Sequence, residues 1–140
     1  MGITSQQIMI VGDPASPISI SNGLLNLRFP ILAPADRTLL YSVEIWKIIS
    51  VIYTSNVAGT DAGAVTAQLT KCTGIVAPAS GTVLLTAAID LKTAANTTVS
   101  GVLISNQSTL TFAATDRLAL DVTGVTTAVD GFFTISYQKV

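Results

Sequence analysis

Charge is what this sequence has least of. Its 140 residues include seven Lys and Arg and eight Asp and Glu, whereas an average soluble domain of this length carries about 35 charged residues. Hydrophobic residues make up 49% of the chain. So few charged side chains leave large apolar areas on a compact domain, and such areas typically mark surfaces that bind other proteins. The composition therefore predicts a subunit of a larger assembly.

Histidine is absent, and cysteine occurs once, as Cys72. Without histidine, no Ser-His or Cys-His pair can activate a nucleophile, and most zinc and other transition-metal sites lose their usual ligands. A single cysteine forms no internal disulfide. Lys71 precedes Cys72, but successive strand residues point to opposite faces, so we interpret Cys72 as a structural thiol. We expect no metal and no cofactor.

No apolar run is long enough to cross a membrane. The longest, 45–53, is interrupted by Lys47 and Ser50 and is far shorter than the ~20 residues of a membrane-spanning helix. The N-terminus lacks the pattern of a secretory signal peptide. The basic residues are scattered rather than clustered, which argues against nucleic acid as a partner. We expect synthesis in a cytoplasm, with neither membrane nor nucleic acid as a partner.

The segment 1–37 differs from the rest of the chain because four of the five prolines lie there: Pro14, Pro17, Pro30 and Pro34. Proline disfavours helices and central strands, whereas 25–29 alternates as a strand with one solvated face does. We predict an extended arm and a first strand over 1–37, ahead of a body over 38–140. The arm residues expected to bind a partner are Ile8, Met9, Ile10, Val11, Pro14, Pro17, Ile18 and Ile20. The alternative is that the arm lies along a sheet edge of its own subunit.

The body is predicted to consist of β-strands, over 39–54, 64–72, 97–104, 117–123 and 132–139. In 39–54, β-branched residues favour a long, bulged strand, although Ile45, Ile48, Ile49 and Ile52 also fit helical spacing. The segment 83–91 is either a short helical turn or an irregular edge, and Gly101 marks a bulge or a close approach. Such strands and turns predict an all-β sandwich of jelly-roll type, with a closed barrel as the alternative.

Few residues are candidates for catalysis. Two carboxylates can hydrolyse glycosides when they face each other, but Asp116 and Asp121 are five residues apart and fall on opposite faces of one strand. Asp61 lies in a glycine-rich turn, and Asp36 and Asp116 each precede an arginine, as in turns or surface pairs. No acidic cluster fits calcium. We assign no catalytic residues and expect no enzymatic activity.

Trp46 is the only tryptophan, and aromatic residues make up 6% of the chain. A tryptophan can stack on a sugar or a peptide, but one among apolar neighbours is more typical of a core or a subunit interface. We interpret Trp46 as a core or interface aromatic residue.

Three stretches together resemble a known group of proteins. They are 59–66 (GTDAGAVT) with 68–71 (QLTK), 90–97 (DLKTAANT) leading into 99–103, and 115–121 (TDRLALD) ending in 131–137. Their order resembles the small β-sandwich proteins of tailed bacteriophages that decorate or cement the capsid, or form the bases of head fibres. The resemblance covers 38–140 and does not include the arm.

The resemblance implies a non-enzymatic structural virion protein that binds the outer capsid surface and ties neighbouring major capsid subunits together. Its implied partners are the major capsid protein and copies of itself, as a homotrimer before a dimer. The virion surface is the implied location, after synthesis in the host cytoplasm. The alternative is a phage fibre or tail-associated domain that binds a receptor or glycan.

Overall fold

The computed structural model describes residues 8–10, 15–21, 24–31, 36–42 and 44–140. Within them, the chain forms β-strands, one helical turn α1 (Gln107–Leu110) and a 3-10 turn at Pro78–Ser80. The strands are β1 (Ile8–Ile10), β2 (Ala15–Ser21), β3 (Leu24–Pro30), β4 (Arg37–Ser42), β5 (Trp46–Ser55), β6 (Thr66–Cys72), β7 (Thr82–Val83), β8 (Ile89–Asp90), β9 (Thr98–Gly101), β10 (Thr111–Phe112), β11 (Arg117–Thr123) and β12 (Gly131–Lys139). The all-β prediction is confirmed.

The strands form two antiparallel sheets. The first sheet has the order β1-β4-β11-β6, with β7 and β8 both pairing along the free edge of β6. The second has the order β2-β3-β12-β5, with β9 and β10 sharing the free edge of β5. The jelly-roll topology within this sandwich-like fold stays a prediction.

The core lies between the two sheets and forms one cluster of buried apolar side chains. Alternate residues of β3, β6 and β12 enter it, because successive side chains of a strand point to opposite faces. In β12 these are Phe133, Ile135 and Tyr137, and in β6 they are Ala67 and Leu69. The alternation of apolar and polar residues in 64–72 and 132–139 predicts that these residues share one face of their strand, and their burial confirms it.

The single strand predicted over 39–54 is wrong, because the segment forms two strands, β4 in the first sheet and β5 in the second. The predicted bulge lies in β5. Ser136 of β12 pairs with Ser50, whereas the next residue, Tyr137, pairs with Ile48. Ile49 is therefore the extra residue, and it is partly exposed, while Ile48 is buried. The bulge shifts the alternation by one position, so the residues before and after it bury the same face of the strand. The buried face is formed by Trp46 and Ile48 before the bulge and by Val51 and Tyr53 after it, so the helical spacing of the isoleucines does not mark the buried face.

For the segment 83–91 the sequence allowed either a short helical turn or an irregular edge, and the structure shows the irregular edge. After β9, the chain leaves the second sheet and its residues 102–104 hydrogen-bond to the segment 84–86. Thr86 N donates to Val102 O (2.8 Å), and Ile104 N donates to Leu84 O (2.9 Å). At Gly101 a Cβ would lie 3.0 Å from the Leu85 side chain, which confirms a close approach. The helical turn α1 was missed, although Asn106 caps it by accepting hydrogen bonds from two backbone amides.

The outer face of the first sheet is partly covered. The alternation in 117–123 predicts that Leu118 and Leu120 face inward and Ala119 faces outward, yet Ala119 is fully buried. The reason is the 3-10 turn at Pro78–Ser80, which lies against β6 and β11 and accepts a hydrogen bond from Thr70 Oγ1 at Pro78 O (2.9 Å). Thr70 and Cys72 are buried beneath the same segment.

Candidate interaction surface

The described arm residues form the outermost strands on one side of both sheets. Ile8 to Ile10 pair with Ser42 to Leu40 of β4, and β2, which contains Pro17, Ile18 and Ile20, pairs with β3. These positions match the alternative in which the arm lies along its own subunit's sheets. Val11 and Pro14 lie outside the described residues. Binding of the arm to a neighbouring subunit stays a prediction.

Exposed apolar side chains concentrate at one end of the two sheets, which we name the tip end. There β6 ends beside the start of β11, since Cys72 pairs with Arg117, and Val140 N donates to Ile45 O (3.1 Å). Of the large hydrophobic residues that are exposed in the described part of the chain, four lie at this end: Ile45, Ile75, Val76 and Val140. Ile75 is fully exposed, at 103% of its reference area.

Arg117 holds the turn that carries Ile75. Its Nη2 donates to Gly74 O (2.8 Å) and to Val76 O (2.7 Å), the carbonyls on either side of Ile75. Its Nη1 donates to Thr38 Oγ1 (2.9 Å) on β4. Hydrogen bonds from an ionised donor are stronger than neutral ones. The backbone around Ile75 is therefore fixed on the body while its side chain projects away from it.

Asp116 joins this turn to a second one. The carboxylate accepts from Thr73 Oγ1 (2.7 Å) and from Ala113 N (2.9 Å), and Asp116 N donates to Ala113 O (3.1 Å) to close the turn 113–116. Within that turn, Thr115 has φ of +77°, a left-handed conformation that costs a residue with a Cβ about 1–2 kcal/mol. We call the two turns, 73–76 and 113–116, the tip.

Most charged groups of the tip end are already bound by the chain itself. Lys139 Nζ lies 3.0 Å from Glu44 Oε2, and Lys71 Nζ donates to Thr111 O (2.9 Å) and Ser108 O (3.4 Å). Asp116 and Arg117 are engaged as described above. These groups therefore keep hydrogen-bond partners when another protein covers this end, while Arg117 and Lys71 retain their positive charge because their acceptors are neutral oxygens.

Trp46 belongs to the core. It is buried, stacks on Phe112 with the ring centroids 4.1 Å apart, and meets Tyr137 edge-on at 5.3 Å. Burial also raises the pKa of Tyr137 to about 12. Because the indole lies inside this aromatic cluster, it is not a surface on which a sugar can stack. Of the two roles that the sequence allowed, core and interface, the structure assigns the core.

The candidate acids do not converge. Asp61 Oδ2 accepts from Ala128 N (2.8 Å), and Asp36 Oδ1 accepts from Val122 N (2.6 Å). The pKa of Asp121 is raised, first by burial and then by the charge of Asp36, whereas Asp116 is bound to the tip. In the described residues, no three or more Cys, Asp or Glu side chains group as metal ligands would.

Cys72 is buried, with its Sγ 3.7 Å from Ala77 O and 3.8 Å from Thr70 Oγ1. Lys71 extends from the opposite face of β6 to reach Thr111 O. The alternation of strand residues predicted that Lys71 and Cys72 lie on opposite faces. The thiol is buried against Thr70 and Ala77.

The three stretches 59–71, 90–103 and 115–137 contain residues that fix loops. Lys92 Nζ donates to Asp61 O (2.5 Å) and Gly63 O (2.8 Å), and Asp90 Oδ1 accepts from Lys92 N (2.9 Å). These bonds tie the first two stretches together, at the end opposite the tip. The third stretch supplies Asp116, which belongs to the tip, and Arg117, which holds the tip in place.

Comparison with family models, with curated proteins and with solved structures gave no match for this chain. Among the described residues, no helix is long and apolar enough to cross a membrane.

Sequence reasoning singled out the arm and Trp46 but missed the tip. Ile75 and Val76 directly follow Gly74 in the segment 73–82, which two glycines and a proline predict to be a loop. The sequence signal that could have indicated the tip is a pair of β-branched apolar residues in a loop. No strand alternation there predicts that either of them faces the core. Their fixation by Arg117 and Asp116 was not readable from the sequence, because those residues lie about forty positions further along the chain.

Proposed function

We propose that this protein is a structural virion protein that binds the outer surface of a bacteriophage capsid and cements neighbouring major capsid subunits. The proposal assigns it no catalytic activity. Its partners are the major capsid protein and other copies of this chain, with a homotrimer as the self-associated form. The observation that carries the proposal is the apolar tip end, where exposed aliphatic side chains occur beside charged groups that already form hydrogen bonds within the chain.

Three further features support this function. The chain resembles phage decoration proteins in three stretches, and those stretches supply the loop-fixing residues Asp61, Lys92, Asp116 and Arg117. The fold is an all-β unit of two sheets, the class that the resemblance implies. The low charge content of the whole chain suits a subunit whose surface is covered by neighbours.

The test is binding to empty shells assembled from the major capsid protein of the virus that encodes this chain. The protein should co-sediment with the shells, saturate at a fixed ratio to capsid subunits, and raise the temperature at which the shells fall apart. Protein spun without shells is the control for aggregation. Light scattering of the protein alone measures its oligomeric mass. A protein that leaves shells unoccupied at micromolar concentration would contradict the proposal.

The second candidate, a receptor- or glycan-binding fibre domain, is favoured by one observation. Phe132 lies on the outer face of the second sheet, with the Arg28 guanidinium 3.9 Å from its ring centre. Asn26 and Ser136 hydrogen-bond to each other beside it. A glycan array with Phe132→Ala as the control tests this face, since sugar binding that Phe132→Ala abolishes would favour this candidate over the capsid role.

A further inference from the structure

We propose that copies of this chain associate end to end, with the tip end of one copy against the opposite end of the next. That opposite end, which we name the far end, is where Ser55 pairs with Gly131 and Thr66 pairs with Thr123. This inference rests on the self-association part of the proposed function and names the surfaces that perform it. Both surfaces belong to this chain, so their charges can be compared directly.

Acidic side chains concentrate at the far end. Asp90 pairs with Thr66, and Asp130 directly precedes Gly131. Seven of the eight acidic residues lie in the described part of the chain, and five of these lie at the far end: Asp36, Asp61, Asp90, Asp121 and Asp130. Two basic residues, Arg37 and Lys92, lie there with them. The ionised side chains of the far end therefore carry a net charge of −3.

The tip end carries charge of the opposite sign. Its acidic residues are Glu44 and Asp116, and its basic residues are Lys47, Lys71, Arg117 and Lys139. The ionised side chains of the tip end therefore carry a net charge of +2. Arg28, the remaining charged residue of the described part, lies midway along β3, where it pairs with Thr134.

The charges at both ends persist because most of their hydrogen-bond partners are neutral. At the far end, the carboxylates of Asp36, Asp61 and Asp90 accept from backbone amides. At the tip end, Lys71 and Arg117 donate to backbone carbonyls, and Arg117 also donates to a hydroxyl. A hydrogen bond to a neutral group leaves the charge in place, so each end presents the potential of its own sign to a second molecule.

These opposite potentials identify the far end of a second copy as the partner of the tip end. Complementary charges guide the encounter of two surfaces and determine which surfaces meet, whereas like charges disfavour contact. Two tip ends or two far ends would bring like charges together. The net charge of the whole chain is only −1, so the overall repulsion between two copies is small.

Both ends also expose aliphatic side chains that the contact can cover. At the far end these are Val57 and Val125, and at the tip end they are Ile45, Ile75, Val76 and Val140. Removing such side chains from water favours association. The charges therefore select the pairing of the ends, and the aliphatic side chains add to its stability.

The proposed contact joins two different surfaces and is therefore heterologous. Such a contact does not end at a symmetric dimer, because each copy keeps one unused surface that accepts a further copy. It closes into a ring or continues as an open row. A ring of three copies would be the proposed homotrimer, and in an open row the first copy keeps its tip end free for the shell.

The experiment measures the mass of the protein alone by light scattering and sedimentation velocity as its concentration is raised. It is made in about 0.01 M and about 0.15 M salt, where the Debye length is about 30 Å and about 8 Å. We expect the mass to rise beyond that of a dimer at the lower salt concentration. Association should be weaker at the higher concentration, because salt screens exposed charges.

Two variants change the charge of one end each. Asp36→Asn/Asp90→Asn removes two exposed charges from the far end and keeps the oxygens that accept from Val122 and Lys92. We expect this variant to raise the dissociation constant for self-association roughly 2- to 30-fold, the effect of losing two exposed charge pairs. Glu44→Gln is the matched control, because it removes a carboxylate from the tip end. It should not weaken association.

Chemical cross-linking locates the contact. A carbodiimide joins a lysine amine to a neighbouring carboxylate as an amide, with loss of water, and a mixture of isotope-labelled and unlabelled copies reveals bonds between copies. We expect such bonds from Lys47 or Lys139 at the tip end to Asp36, Asp90 or Asp130 at the far end.

The test uses no shells, so its result is separate from capsid binding. A parent that stays monomeric at low salt would overturn the end-to-end contact and leave capsid binding untouched, and so would equal association by Asp36→Asn/Asp90→Asn at an unchanged melting temperature. Cross-links that join two tip ends, or two far ends, would also overturn it. A protein that associates end to end but leaves shells unoccupied would remove the capsid function alone.

Discussion

Replacing Arg117 tests whether the tip is held as its geometry indicates. Arg117→Ala removes the donors to Thr38, Gly74 and Val76 while the strand pairing of β11 can remain. Thr38→Val is the matched partial variant, because it removes one acceptor and keeps the shape of the side chain. Arg117→Lys keeps the charge but replaces a planar fork, which serves three acceptors, with a single ammonium group.

The expected loss of stability follows from these three bonds. A buried hydrogen bond to a charged group contributes about 1.5–3 kcal/mol, and a typical neutral one about 1 kcal/mol. Two of the Arg117 bonds are exposed to solvent and one is part-buried, so we take about 1 kcal/mol for each. Arg117→Ala should lower the free energy of unfolding by about 3 kcal/mol and Thr38→Val by about 1 kcal/mol, with Arg117→Lys between them.

Urea unfolding measures these differences, and amide hydrogen exchange locates them. The Val76 amide, which donates to Thr73 O, should exchange faster in Arg117→Ala. The exchange rates of core amides in β12 should rise only as much as the loss in unfolding free energy accounts for. The reasoning would be refuted by an Arg117→Ala protein whose unfolding free energy lies within about 0.5 kcal/mol of the parent, the usual range for surface substitutions, and whose Val76 exchange is unaltered.

Two further predictions concern the strained turn and an acidic pair. Thr115→Gly should raise the unfolding free energy by up to about 1 kcal/mol, because relief of about 1–2 kcal/mol of left-handed strain exceeds the entropic cost of glycine. Thr60→Gly, in a loop without that strain, should be destabilising, and equal effects in thermal unfolding would refute the assignment. The pKa of Asp121 is raised by burial and by Asp36, so its contribution to stability is present at acid pH and lost as the carboxyl ionises. Asp121→Asn should therefore be more stable than the parent at pH 7 and equal to it below the ordinary carboxyl pKa, and a difference that persists at low pH would contradict this.

The sequence alone determined the fold class and much of the core. Alternation in 117–123 and 132–139 predicted which residues face inward, and Phe133, Ile135 and Leu118 are buried accordingly. The spacing of Lys71 and Cys72 predicted opposite faces. These features are local because they depend on strand periodicity, which the sequence displays directly.

The tertiary structure decided what depends on distant partners. Ile49 faces outward because the pairing of β5 with β12 shifts by one residue, and Ala119 is buried because the Pro78–Ser80 turn packs over it. The tip is the clearest case, since Arg117 joins Thr38, 79 residues away, to the turn that presents Ile75. Strand register and long-range packing set these contacts, and local propensity carries no information about which distant residues will meet.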